Sequence, residues 1–299
     1  MAVMAALLLL ALTRPGACQL TKPAAPKSVK PRASSSLFRP GTFPAGRGAA
    51  GALALKGDGH YLSGRFQEAM TCYRKALALK PGDGDILIRI GDCCIRAGDF
   101  REAESAFARA LKARPADPWA RTGLADVFLE KGDTDRAERE LKTVLAGNPG
   151  FSLAYTGLGD VHVDRGQYRQ AEQAFQKALA LKPRQDYPDT YIGLGEMYLN
   201  TKKFQEARKS FALAGDRDPF DADAYLGQAR ALLRLGRPAD AEKCMEKCLA
   251  LIPLHLEGGT LLVELQLGMG KKAQAKALLK KLLARHPRDE DLEILSEKL

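Results

Sequence analysis

From Ala50 onward, apolar residues recur at the spacing of a helix face and then break off at a glycine or a proline. Within 152–183, Tyr155, Leu158, Gly159 and His162 follow an i, i+3, i+4, i+7 stripe, which predicts one amphipathic helix. Ala171, Phe175 and Ala178 make a second stripe. Gly166 stands between the two, where a tight reversal needs unhindered backbone, and Pro183 ends the second helix because it has no N–H to donate. The segment reads as a helical hairpin with an apolar side for each of two neighbours.

The same pattern returns along the chain. Pro81, Pro115, Pro149, Pro183, Pro219, Pro253 and Pro287 are spaced by 34, 34, 34, 36, 34 and 34 residues. Twelve positions before each comes Ala69, Ala103, Ala137, Ala171, Ala207, Ala241 or Ala275, and five before that Gly64, Gly98, Gly132, Gly166, Gly236 or Gly270, with Lys202 as the exception. Numbering each unit from 1, with the proline at 32, gives repeats at 50–83, 84–117, 118–151, 152–187, 188–221, 222–255 and 256–289. Small residues at 8, 20 and 27 against large ones at 4, 7, 11 and 24 let adjacent helices interdigitate.

The units resemble the tetratricopeptide repeat over residues 50–287, the fourth matching at nearly every defining position. The resemblance implies an all-α, right-handed superhelical solenoid of antiparallel helix pairs, whose first helices line a concave groove for an extended peptide or a partner helix. Lys56, Arg121, Gln228, Pro238, Gly259 and Gln266 depart from the pattern, so the ends are expected to be softest. Leu292 and Leu295, with Leu299, predict a C-terminal capping helix over 288–299.

Ahead of the repeats lies a different composition. Ala2 to Leu12 is an apolar run too short to span a bilayer but fit for a secretory signal over 1–18, with Gly16, Ala17 and Cys18 as small residues at its end. Export to a periplasm or the exterior is the leading expectation, with lipid attachment and a membrane tether at Cys18 as one alternative and a cytoplasmic or organellar protein as another. Residues 19–49 are Pro-, Ser- and Ala-rich and predict a disordered basic linker. The formal net charge of +10 belongs largely to this end: residues 1–50 hold seven Lys or Arg and no acid, which leaves 39 basic against 36 acidic side chains beyond them.

Seven repeats and a cap leave no length for a catalytic domain, so no enzyme and no cofactor are expected. GDG at 57–59 and PGDGD at 81–85 lack the strand, helix and GKS/T context of a phosphate loop. His60 and His162 share position 11 of units two repeats apart and read as packing imidazoles, so no metal is expected either. Cys72, Cys93, Cys94, Cys244 and Cys248 read as buried thiols, with a Cys72 to Cys94 bridge as the competing idea under export.

Carrying the family's groove positions onto this sequence isolates two columns. Position 9 holds Asp58, Asp92, Asp126, Asp160, Glu196, Arg230 and Glu264; position 2 adds Asp85, Trp119, Asp189, Asp223 and Glu257. Ala54, Asp58, Arg89, Trp119 and Gly123 stand where the family's two-carboxylate clamp would need Lys and Asn, Asn, then Lys and Arg, which excludes that clamp. Such acidity repels nucleic-acid phosphates and suits a basic peptide or protein partner. The function expected is therefore an interaction scaffold in assembly of an envelope or secretory complex. A surface module whose basic tail binds anionic lipid or polymer, and a regulatory subunit of an enzyme, are the alternatives. The acid-free tail, tethered to an acidic groove, is a natural internal competitor. Oligomeric state is left open.

Overall fold

The computed structural model describes residues 48–63, 65–181, 188–253 and 255–298. The signal-like run, Cys18, the linker up to residue 47, Gly64, Pro183 and Leu299 lie outside them. Among the described residues there are fifteen helices and no strand. The first hairpin is α1 (Ala49–Leu62) and α2 (Phe66–Leu79), followed by α3 (Gly84–Ala97) with α4 (Phe100–Ala113) and α5 (Pro118–Glu130) with α6 (Thr134–Gly147). Then come α7 (Ser152–Asp164) with α8 (Tyr168–Ala180), α9 (Pro188–Asn200) with α10 (Phe204–Arg217), and α11 (Ala222–Arg234) with α12 (Pro238–Leu251). The chain ends in α13 (Leu256–Gly268), α14 (Lys272–Arg285) and α15 (Glu290–Ser296).

Two chemical signals set these boundaries. Aspartate caps many of the helices: Asp83, Asp117 and Asp221 accept from the backbone N–H groups opening α3, α5 and α11, and Asp99 and Asp133 do so for α4 and α6. The reversal between helices then needs a residue in left-handed backbone. Gly98, Gly132, Gly166, Gly236 and Gly270 supply it with φ between 70° and 77°, and Lys202 adopts φ 60° at the repeat that lacks the glycine.

The described chain divides into two bodies, residues 48–258 and 259–298. In the first, each first helix packs on its own second helix, which packs in turn on the next first helix. Along this body large side chains at position 24 fit against glycines, at two junctions on both sides at once. The Phe175 ring lies against Gly159 of its own repeat and Gly193 of the next, where added Cβ atoms would stand 2.4 and 2.6 Å from it. Phe211 sits likewise between Gly195 and Gly227, at 2.7 and 2.2 Å. Phe107 presses on Gly91 and Leu141 on Gly157. All four are fully buried. Outside the rings, Arg74 pairs with Glu102, Lys131 with Glu104, and Arg165 with Asp135 and Glu138.

The second body is smaller. Gly259 faces Leu282, where a Cβ would meet its methyls at 2.8 Å, and α15 packs on α14, burying Leu292 and Leu295. Asp289 caps this last helix by accepting from the Leu292 N–H at 3.1 Å.

Lys202→Gly should relieve the left-handed strain and raise stability by up to about 1 kcal/mol, part of the gain being offset by added freedom of the unfolded chain. Thermal unfolding of the two proteins measures this, and an unchanged or lower midpoint would contradict it.

Candidate functional site

Position 9 of a first helix faces position 6 of the next, so what occupies position 6 decides the surroundings of each carboxylate. At the first junction that residue is Arg89. Its Nε donates to Asp58 Oδ1 at 2.9 Å and its Nη2 to Oδ2 at 3.3 Å, with Tyr73 Oη donating to the same Oδ1 at 2.9 Å. The group is closed to solvent, with the Arg89 side chain only 2% exposed. Burial, and then the Asp58 carboxylate, push the Tyr73 phenol far above its ordinary range, so it remains a donor.

Along the next three repeats position 6 is Gly123, Gly157 and Gly193. A glycine there reads in the sequence either as an open groove floor for a ligand backbone or as room for a neighbouring side chain. In the fold, Gly157 and Gly193 accommodate Leu141 and Phe175 from the preceding second helix, as does Gly227 with Phe211. Asp92 and Asp126 are buried and Asp160 is half-buried. Asp160 Oδ1 would stand 3.0 Å from a Cβ at Gly193, so this carboxylate reaches directly over the glycine.

The remaining candidates separate into distinct settings. Arg230, the basic exception of its column, donates from Nη1 to Glu196 Oε1 at 2.8 Å. Arg114 pairs with Asp85 at 2.5 Å. Asp189 is buried at the start of α9. Trp119 is half-buried, edge-on to Phe151 with centroids 5.0 Å apart, so it packs on the connection into the next repeat. Glu257 is half-buried on α13, and Glu264 is exposed in the second body. Asp58, Asp92, Asp126, Asp160 and Glu196 therefore share one register of consecutive first helices, whereas Asp85, Asp223 and Trp119 meet partners outside that register.

Asp223 meets groups that the column reading did not anticipate. Its Oδ1 lies 3.5 Å from His255 Nε2 and its Oδ2 lies 3.8 Å from Arg96 Nη1. Burial opposes its charge, yet His255 and Arg96 hold this carboxyl below its ordinary value. Burial, and then the neighbouring Asp223 charge, push Asp221 up to about 6. Asp221 is the N-cap of α11, and nothing local in the sequence joins residue 96 to residue 223.

His162 Nδ1 is 2.7 Å from Gln167 Oε1, and both His60 and His162 are half-buried. Among the described residues no group of three or more His, Cys, Asp or Glu is placed to hold a metal ion. The five cysteines of the repeats are free thiols, so the Cys72 to Cys94 bridge is not formed. Burial raises Cys93 and Cys248 to about 12, and such thiols are not nucleophilic at neutral pH. No described helix is long and apolar enough to cross a membrane.

A row of helical hairpins joined by rings in glycine notches defines the class of helical-repeat solenoids. Family models described as tetratricopeptide repeat match residues 60–115, 95–161 and 232–299, and further models of the same description match 156–222 and 192–251. The chain belongs to the tetratricopeptide repeat family, whose members bind other proteins.

Among solved structures it resembles Cut9 with Hcn1, an APC/C hetero-tetramer, at 19% identity and TM-score 0.59, covering 84% of this chain and 55% of that one. A thermophilic tetratricopeptide protein of Thermus thermophilus matches at 25% identity and TM-score 0.55, over 62% of this chain and all of that one. PilW, a widely conserved type IV pilus biogenesis factor, matches at 19% identity and TM-score 0.58, over 71% and 97%. No curated protein matches by sequence.

Two predictions follow from the charged groups. Arg89→Ala strands the Asp58 charge in a buried site and should cost about 3–5 kcal/mol in denaturant unfolding, while Arg89→Met combined with Asp58→Leu should cost clearly less. Equal losses would refute the pairing argument.

Asp221 has a raised folded-state pKa, so its ionisation opposes folding. That penalty is absent below about pH 4, grows between about pH 4 and 6, and is complete above pH 6. Asp221→Asn keeps the cap and should raise the melting temperature at pH 8 but not at pH 4. A gain of the same size at both values would place the effect elsewhere.

Proposed function

We propose that this protein is a non-enzymatic interaction scaffold whose concave face holds an extended, basic segment of a partner protein. One observation carries the reading. Asp92, Asp126 and Asp160 repeat at a single helical register, each followed by glycine at the facing position of the next repeat, while the equivalent Asp58 is met by the Arg89 guanidinium. That first junction is a template for the chemistry: a guanidinium fits against this carboxylate register, and the next three repeats continue the register with glycine at the facing position. A ligand with Lys or Arg side chains at intervals would extend that guanidinium–carboxylate chemistry along the register, and charge-assisted hydrogen bonds to carboxylate are the strong kind. The carboxylates also favour encounter with a cationic segment and disfavour nucleic acid.

The setting we propose is assembly of an envelope or secretory complex. The apolar run at 2–12 supports export, and the fold is shared with PilW and with Pseudomonas aeruginosa PilF. The basic segment 19–47, with six Lys or Arg, would compete for the same face at low salt.

Affinity capture from an extract of the source organism, with the whole chain as bait, tests this against Asp92→Asn/Asp126→Asn/Asp160→Asn. Partners held by the original chain should be lost with the variant, provided its circular dichroism and melting show a folded protein. Retention of the same partners by a folded variant would move recognition to the outer face, the ends or the tail.

A further inference from the structure

Arg96 closes α3 in the second repeat and Asp223 opens α11 in the sixth, with three whole repeats between them. Their helices pack elsewhere: α3 on α2, α4 and α5, and α11 on α9, α10 and α12. Yet Arg96 Nη1 comes to 3.8 Å from Asp223 Oδ2, and His255 Nε2 takes the other oxygen at 3.5 Å. The guanidinium also lies 5.8 Å over the Phe66 ring, which fixes its direction from the first repeat. The charged and titratable groups facing this cluster are Tyr61 of α1, Asp92 of α3, Asp221 before α11 and Cys248 of α12. Both Arg96 and Asp223 retain about a fifth of their side-chain exposure, so water reaches the contact.

We infer that Arg96 and Asp223 form a latch across the concave side of the 48–258 body, and that the form described is the closed one. Neighbouring repeats are joined by fully buried large side chains, but small rotations at the junctions between repeats 2 and 6 sum to a large change in their separation. An ion pair between helices whose main packing is on other elements is a contact such a motion breaks, and it is weakened by salt. Asp92 is buried and faces Arg96, so release of Arg96 opens the way to this groove carboxylate. That last step rests on the function proposed above; the latch itself does not.

Small-angle scattering of the whole chain tests the latch. At about 50 mM salt, Arg96→Gln and Asp223→Asn should each increase the radius of gyration, and Arg96→Glu with Asp223→Arg should restore it. At about 500 mM salt, the unaltered chain should expand towards the variants. Superimposable curves for the unaltered chain and Arg96→Gln at low salt, with melting showing both folded, would overturn the proposal.

Binding of a fluorescein-labelled peptide of alternating lysine and alanine separates the two readings. If the closed form predominates, Arg96→Gln should bind it roughly tenfold more tightly. Expansion without tighter binding would keep the latch and refute its link to the groove. Peptide binding that is lost in the triple Asp→Asn variant but unaffected by Arg96→Gln, with no expansion, would refute the latch and keep the groove.

Discussion

The middle of the fold depends on one steric fit, the insertion of a large side chain at position 24 against glycine of its own repeat, of the following one, or of both. Phe175 and Phe211 fill such notches on two sides at once. A ring buried this way removes a large apolar area from water, and the missing Cβ atoms let the helix backbones approach closely enough for contact. The glycines weaken each first helix in isolation, since glycine is a poor helix former. The hairpins are therefore stable only in a row, and hydrophobic burial and repeat order become the same requirement.

The first junction shows what happens when the notch is altered. Tyr73 supplies a ring that carries a hydroxyl and Arg89 replaces the glycine of the next repeat, and both polar ends meet Asp58. A buried arginine without its carboxylate would be costly, so these residues are meaningful only as a set. The same carboxylate register continues where the arginine does not. Residues that first serve the junction thus become the electrostatic character of one face, and this connects packing to recognition in this chain.

Much of the architecture was legible in residue spacing. Proline, alanine and glycine in three parallel registers fixed helix ends and turns, because each acts through local backbone chemistry. Lys202 was visible as the missing glycine, and its φ of 60° follows from the same turn. The role of the position 6 glycines was not legible, since a residue without a side chain reads equally as a ligand entrance or as room for a neighbour. Only the packed ring from the preceding helix decided between them. The acidic column was equally visible as composition, but whether a carboxylate meets an arginine, a glycine or a histidine depends on the next repeat.

What the sequence determined by itself is the hairpin, its period and its family, because helix faces, caps and turns depend on residues fewer than forty apart. The tertiary structure decided which cation several of the carboxylates meet. Asp85, Glu196 and Asp223 were equals in the sequence, yet each has a cation partner, and that of Asp223 is 127 positions away. Such a contact has no local signature. It exists because small rotations accumulate from hairpin to hairpin until the second and sixth repeats meet, a sum over packing angles that no single residue encodes.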